Sequence, residues 1–257
     1  MHIIGIIPAR MGSSRFPGKP LKNILGMPMV GHVYFRSKMS TLLNEVYIAT
    51  CDKEIMDYAA SISAKAIMTK DTHERATDRT AEAMEKIEAE TGIKVDIVVM
   101  IQGDEPMVTP EMIDAAVRPL IDDKSVLVSN LMASLYGAQE HDDKNEVKVV
   151  VDRNNNALYF SREAIPSRWK IGEKVPMNKQ VCIIPFQRDF LLKFNALEPT
   201  PLEIAESVDM MRVLEHGYKV KMAPAPEGIT YSVDTPEDLA DVEEAMKNDP
   251  LAGVYNI

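Results

Sequence analysis

Cysteine is scarce. Cys51 and Cys182 are the two in 257 residues, too far apart to form a C-x-x-C. This excludes a metal knuckle or a paired redox motif and leaves two buried thiols in a reducing compartment as the expectation. No apolar run approaches the ~18 residues a membrane-spanning helix requires, and the first residues carry no charged leader ahead of an apolar stretch, so a soluble, cytoplasmic protein is expected. A G-x-G-x-x-G is missing, and a Walker A loop cannot be fitted: Ser13 stands where its first glycine belongs, and Gly18-Lys19 is followed by Pro20. Acidic residues are wholly absent from residues 1–44, a stretch that holds Arg10, Arg15, Lys19, Lys22, Arg36 and Lys38.

That local absence runs against the whole chain, whose formal net charge is -10. An acidic protein has no general basic face for a phosphate backbone, so nucleic acid is not an expected partner. The basic stretch is concentrated instead in "IIPARMGSSRFPGKPL" (6–21), where an apolar strand gives way to glycines and serines set between cations. Small residues let backbone N–H groups approach an anion, and Arg and Lys add charge-assisted hydrogen bonds. The loop is therefore suited to a polyphosphate, with Pro17 and Pro20 stiffening it.

Apolar runs alternate with amphipathic segments through the first half, the pattern of a parallel sheet with crossover helices. Strands are predicted at 2–8, 45–50, 64–68 and 96–101, and helices at 28–40, 53–61, 77–90 and 110–121. The second half predicts strands at 125–133, 147–151, 157–160 and 181–186 without a helix between each pair, an antiparallel excursion. A helix at 201–215, a strand at 219–223 and a helix at 236–246 follow. The fold class is thus α/β, a Rossmann-like, mostly parallel sheet with flanking helices plus a smaller antiparallel excursion. Residues 1–257 read as a single domain, and 162–180, polar and basic around Trp169, as a mobile loop or subunit arm.

Asp104 follows the strand ending at Ile101 and so falls at a strand's carboxyl end, where open α/β sheets bind their ligands. Asp234 lies in "SVDTPEDL", just before a helix that either Asp234 or Thr235 could cap. Two carboxylates beside a triphosphate form an oxygen-rich site suited to Mg²⁺.

The blocks "IIPARMGSSRFPGKPL", "IQGDEPMV" (101–108), "NEVKVV" (145–150), "ALYFSREAIP" (157–166), "PLEIAESVDMMRVLEHGYKVKMA" (201–223) and "VDTPEDL" (233–239) resemble, in the same order, those of sugar-nucleotide cytidylyltransferases, above all the CMP-KDO synthetase family, which activates 3-deoxy-manno-octulosonate (KDO) with CTP. The resemblance covers residues 2–247. It implies a Mg²⁺-dependent nucleotidyltransferase of the nucleotide-diphospho-sugar transferase type, in which the anomeric hydroxyl of a 3-deoxy-2-ulosonic acid attacks the α-phosphate of CTP and pyrophosphate leaves. It assigns Asp104 and Asp234 to the metal and Lys19 to catalysis beside them. Arg10, Ser13, Arg15 and Lys19 would hold the triphosphate, and Gln102 would contact substrate or ribose. "HERATDRTAEA" (73–83) corresponds to a nucleoside-binding segment through Thr77, Asp78 and Arg79, although Arg75-Ala76 stands where the family tends to have Ser-Gly and a helix cap also accounts for Thr77 and Asp78. Arg162 matches the position that grips the substrate carboxylate, with Lys148 as helper. Glu203 and Glu206 are either acceptors for sugar hydroxyls or ordinary exposed helix residues.

The chain departs from the pattern at "QVCIIPF" (180–186), where Gln180 and Ile184 replace a His and a Tyr. Losing two such groups leaves substrate polar atoms unpaired, a change large enough to reverse a preference. KDO or a related sugar acid is therefore the expected acceptor, with a different acid as the alternative. The family further implies a homodimer using part of 160–200 and a role in lipopolysaccharide biosynthesis. Two other readings stand beside this one. A metal-dependent glycosyltransferase using a finished nucleotide sugar is disfavoured because "QGDEP" lacks the D-x-D spacing, and a non-catalytic nucleotide-binding protein because Arg10, Lys19, Asp104 and Asp234 are all present.

Overall fold

The computed structural model describes residues 1–12, 16–228 and 230–255. The chain folds into two compact units, one made of residues 1–114 and 229–257 and the other of 115–228.

The first unit begins with β1 (Ile3–Pro8), a run buried on both faces as a central parallel strand must be. After the basic loop come the short strands β2 (Asn23–Ile24) and β3 (Met27–Pro28), then α1 (Met29–Ser37), β4 (Glu45–Thr50), α2 (Lys53–Ser61), β5 (Ala66–Met68), α3 (Ala76–Thr91) and β6 (Ile97–Ile101). Within this unit the order is β6-β1-β4-β5, every pair parallel, with Ile3 opposite Ile97 and Gly5 opposite Val46. Ile4, Ile6, Ile48, Val98 and Val99 are wholly buried and form the centre of its core. The segment from 230 onward returns to this unit and carries α9 (Pro236–Met246). Val233, Val242 and Met246 pack with Phe16, Ile24 and Met29, so an apolar cluster ties this segment to the far end of the basic loop. Arg36, buried in α1, fastens the same segment by donating to Asp249 and to the Tyr255 hydroxyl.

Helix α4 (Pro110–Asp122) runs through residue 114, where the chain leaves the first unit. The second unit holds β7 (Ser129–Ser134), α5 (Ala138–Asp142), β8 (Lys148–Val151), β9 (Ala157–Ser161), β10 (Asn178–Val181), β11 (Ile183–Gln187), α6 (Arg188–Asn195), α7 (Pro201–Glu206), α8 (Met210–Glu215) and β12 (Lys221–Pro224). Its sheet runs β12-β7-β10-β8-β9, antiparallel except for β12 against β7. The expected mostly parallel sheet with flanking helices and a smaller antiparallel part is the architecture found.

Three local readings are corrected. The helix expected over 201–215 is two helices, because Ser207 adopts a left-handed φ of 54°. The break lets Arg212 reach Glu203 with bonds of 2.7 and 2.8 Å, whereas nine positions along one unbroken helix would separate the two by roughly 13 Å. The strand expected over 181–186 is likewise two strands that change partners at Cys182. Helices α5 and α6 were not expected. Among the described residues no helix is long and apolar enough to cross a membrane.

Candidate active site

The site is built on the carboxyl ends of β1 and β6. Pro8 ends β1, and the chain turns into the basic loop, where Gly18 at φ 72° takes a left-handed conformation and donates its N–H to Met11 O at 3.0 Å. That closure feeds directly into a single 3₁₀ turn, Lys19–Leu21, with Pro20 fixing its start. Beyond β6, Gln102-Gly103-Asp104 lies against the end of β1. A side chain on Gly103 would meet the Pro8 carbonyl oxygen at 3.3 Å, so glycine allows the two strand ends to approach.

From this frame Lys19 reaches inward. Its Nζ donates to Asp104 Oδ2 at 3.0 Å, Asp234 Oδ1 at 3.2 Å and the Val233 carbonyl at 2.7 Å. Burial pushes the ammonium's pKa down, but the two carboxylates more than offset this and hold it above the ordinary lysine value. Residues 215 positions apart are thereby joined at one point. The Val233 N–H donates to the Asp104 carbonyl at 2.9 Å, which fixes the two carboxylate-bearing segments side by side. The choice between Asp234 and Thr235 as cap is resolved by the geometry: Thr235 is the N-cap of α9 and forms a capping box with Asp238. Asp234 directs its carboxylate to Lys19.

A cavity of about 290 Å³ opens beside this cluster. Arg10, Gly12, Lys19, Gln102 and Asp104 line one part, and His73, Glu74, Arg75, Ala76 and Arg79 another. The wall around Arg79 is buried and hydrogen-bonded. Arg79 is 3 % exposed, with Nη1 donating to Thr69 Oγ1 and the Lys70 carbonyl, while its buried Nη2 finds no partner among the described residues. His73 Nε2 pairs with Glu82, which also receives Lys86 and the Lys70 N–H. Burial raises the Glu82 pKa, but these donors outweigh it and hold it at about 2. Thr77 and Asp78 are not caps: the N-cap of α3 is Arg75, and Thr77 is fully buried in the first turn. Ser13 and Arg15 lie outside the described residues.

Lys148, Arg162, Gln180, Glu203 and Glu206 all belong to the second unit. Lys148 is fully buried, and its ammonium donates to the carbonyls of Asp143, Glu146 and Arg162, each at 2.6 Å. Arg162 is partly exposed and donates to the carbonyls of Glu206 and Lys144 at 2.9 and 3.0 Å. Glu206 accepts from Tyr159, Ser161 and the Arg162 N–H, so Lys148, Arg162 and Glu206 form one connected corner. Glu203 sits apart from it, 1 % exposed and paired with Arg212, which is neither an exposed helix position nor one open to a sugar. Gln180 Nε2 donates to the buried Asn130 at 2.5 Å, and Ile184 is buried.

Sequence reasoning missed His73, Glu82 and the Val233 carbonyl. The His73–Glu82 contact joins residues nine apart across a loop and a helix, a spacing with no periodic signal, and a carbonyl carries no side-chain identity at all.

Comparison with known proteins adds a further finding. The family model described as cytidylyltransferase matches residues 4–222. A 3-deoxy-manno-octulosonate cytidylyltransferase of Geobacter metallireducens is 40% identical over 257 residues, covering 96% of this chain and 98% of the relative. That of Syntrophobacter fumaroxidans is 42% identical over 252 residues, covering 98% and 99%. Among solved structures, CMP:2-keto-3-deoxy-manno-octonic acid synthetase complexed with CTP superposes with a TM-score of 0.87 at 36% identity, covering 96% of this chain and 99% of that one.

Proposed function

Because the chain belongs to the cytidylyltransferase family, we propose that it transfers CMP from CTP to the anomeric hydroxyl of a 3-deoxy-2-ulosonic acid, KDO or a close relative of it, with release of pyrophosphate. The observation that carries this reading is the meeting of Asp104 and Asp234 on Lys19, beside a cavity that Lys19 and Asp104 line together with Arg10 and Gln102. Curated relatives across nearly the whole chain support the substrate class.

In this reading the triphosphate lies along Arg10 and Lys19, with Ser13 and Arg15 contributing from the same loop, and the nucleoside extends toward Thr77 and Arg79. The cations would neutralise charge that builds up as pyrophosphate departs, and the cavity would position the reacting groups, which is where phosphoryl-type transfers gain most of their rate. Asp104 and Asp234 fit a divalent cation, since their oxygens already converge on a single cationic atom, and they would hold Mg²⁺. When bound, that ion would supply Lewis-acid polarisation of phosphate oxygens. The Arg162 guanidinium is the group proposed for the acid's carboxylate, held in place by Lys148 and Glu206 beneath it. Gln180, spent on Asn130, and Ile184 supply little polar recognition, so the acceptor is drawn from acids related to KDO as well as KDO itself. Residues 160–200, where Trp169 stands 94 % exposed, are proposed to contribute to a homodimer surface.

The test is pyrophosphate release from CTP and Mg²⁺ with a panel of KDO, 8-amino-KDO, sialic-type and simpler 2-keto acids. Turnover with KDO or a close relative is expected. Inactivity with every sugar acid would overturn the substrate class.

A further inference from the structure

Lys19 does more in this structure than wait for phosphate. Its ammonium occupies the point on which Asp104 Oδ2, Asp234 Oδ1 and the Val233 carbonyl all converge, at 3.0, 3.2 and 2.7 Å. Three oxygens around one small cation is an arrangement a metal ion would also find, and here a side chain of the protein fills it. The same lysine is proposed above as a triphosphate ligand, and one ammonium cannot serve both places.

We infer that Lys19 is a placeholder cation, which holds the Asp104–Asp234 pair closed to free divalent metal until a nucleoside triphosphate draws it away. The inference rests on the cytidylyltransferase reading for the identity of the nucleotide. Two physical points carry it. Two carboxylates and a carbonyl leave a six-coordinate ion to fill the rest of its shell with water, and among the described residues no third His, Cys, Asp or Glu joins them. A free ion would therefore gain little here, while Lys19 would be left beside a like charge with no anion to receive it. A triphosphate changes both terms at once. Its oxygens complete the coordination, and its negative charge gives the lysine a new partner. Metal and nucleotide should then bind with strong mutual positive coupling, each raising the affinity of the other equally.

The test measures Mn²⁺ binding to the intact protein by electron paramagnetic resonance, with and without the α,β-methylene analogue of CTP. Wild type is expected to bind Mn²⁺ weakly alone and about tenfold or more tightly with the analogue present. Lys19→Met removes the placeholder and should raise Mn²⁺ affinity in the absence of nucleotide by a similar factor, whereas Lys19→Arg keeps a cation between the carboxylates and should stay near wild type. Adding Asp104→Asn to Lys19→Met should erase the gain. Should Lys19→Met fail to fold, Lys19→Gln and the wild-type comparison with and without analogue carry the same test. Equal Mn²⁺ affinity in wild type and Lys19→Met, or tight Mn²⁺ binding to nucleotide-free wild type, would overturn the inference. Those results would leave pyrophosphate release intact if the cytidylyltransferase reading holds. A gain of Mn²⁺ affinity in Lys19→Met without CTP turnover by wild type would instead retain the placeholder and discard the reading.

Discussion

Lys19 in the first unit and Lys148 in the second are both largely withdrawn from water, and each is satisfied differently. In the first, Lys19 meets two carboxylates and one carbonyl. In the second, Lys148 meets three carbonyls and, among the described residues, no carboxylate oxygen at hydrogen-bond distance. Burial lowers both pKa values, but the full charges beside Lys19 reverse the effect, while the dipoles and more distant charges around Lys148 do not. The first lysine is held by partners that another cation could take over. The second is held by backbone, and it ties the carbonyls of Asp143 and Glu146 to that of Arg162. A buried ammonium is thus a ligand-exchange device in one place and a rivet in the other.

The largest expected effect breaks the first arrangement. On the proposed reading, in which this carboxylate serves chemistry more than packing, Asp104→Asn should cut pyrophosphate release by about a thousandfold or more with little change in thermal midpoint. An unchanged rate would remove Asp104 from the site. Next is the second arrangement. Lys148→Met leaves three carbonyls without their donor and should cost about 3 kcal/mol in denaturant unfolding. If stability survives while only the Michaelis constant for the acid rises, Lys148 touches substrate and is not a rivet. A smaller effect concerns Glu82, held at about 2 against an ordinary 4.5. A depressed carboxylate contributes stability that is complete above the unfolded value, so wild type should lose it as pH falls from 4.5 toward 2. Glu82→Gln should flatten acid unfolding in that window. The finest distinction is direct: NMR of the Lys148 Nζ should show it losing its proton below the usual lysine range, since burial penalises its charge. Its folded value lies below the unfolded one, so this group makes the fold more stable as pH rises through that range. Titration at or above the ordinary value would erase the contrast with Lys19.

The first unit was the more legible because its polar residues sit where strands end. Asp104 follows a run of buried apolar residues, and Lys19 follows a loop whose glycines and cations have no packing purpose, so position and chemistry coincide. Asp234 was ambiguous only until Thr235 proved to be the cap. The second unit hides its logic in contacts between distant residues. Nothing in "PLEIAESVDMMR" announces a helix break, and only the buried Glu203–Arg212 pair gives it a reason. Phe190, Leu191 and Phe194 do repeat at helical spacing in α6, a signal that eight residues carry only weakly.

The meeting of Lys19 with Asp234 also bears on how the protein is made. The first two members of the constellation leave the ribosome earlier, yet the third is 215 positions beyond Lys19, in a segment that Arg36 fastens through Asp249 and Tyr255. Translation must therefore run almost to residue 255 before the carboxylate pair exists. A product that ends before residue 234 carries Lys19 and Asp104 without the second carboxylate, so the three-way meeting cannot form in it.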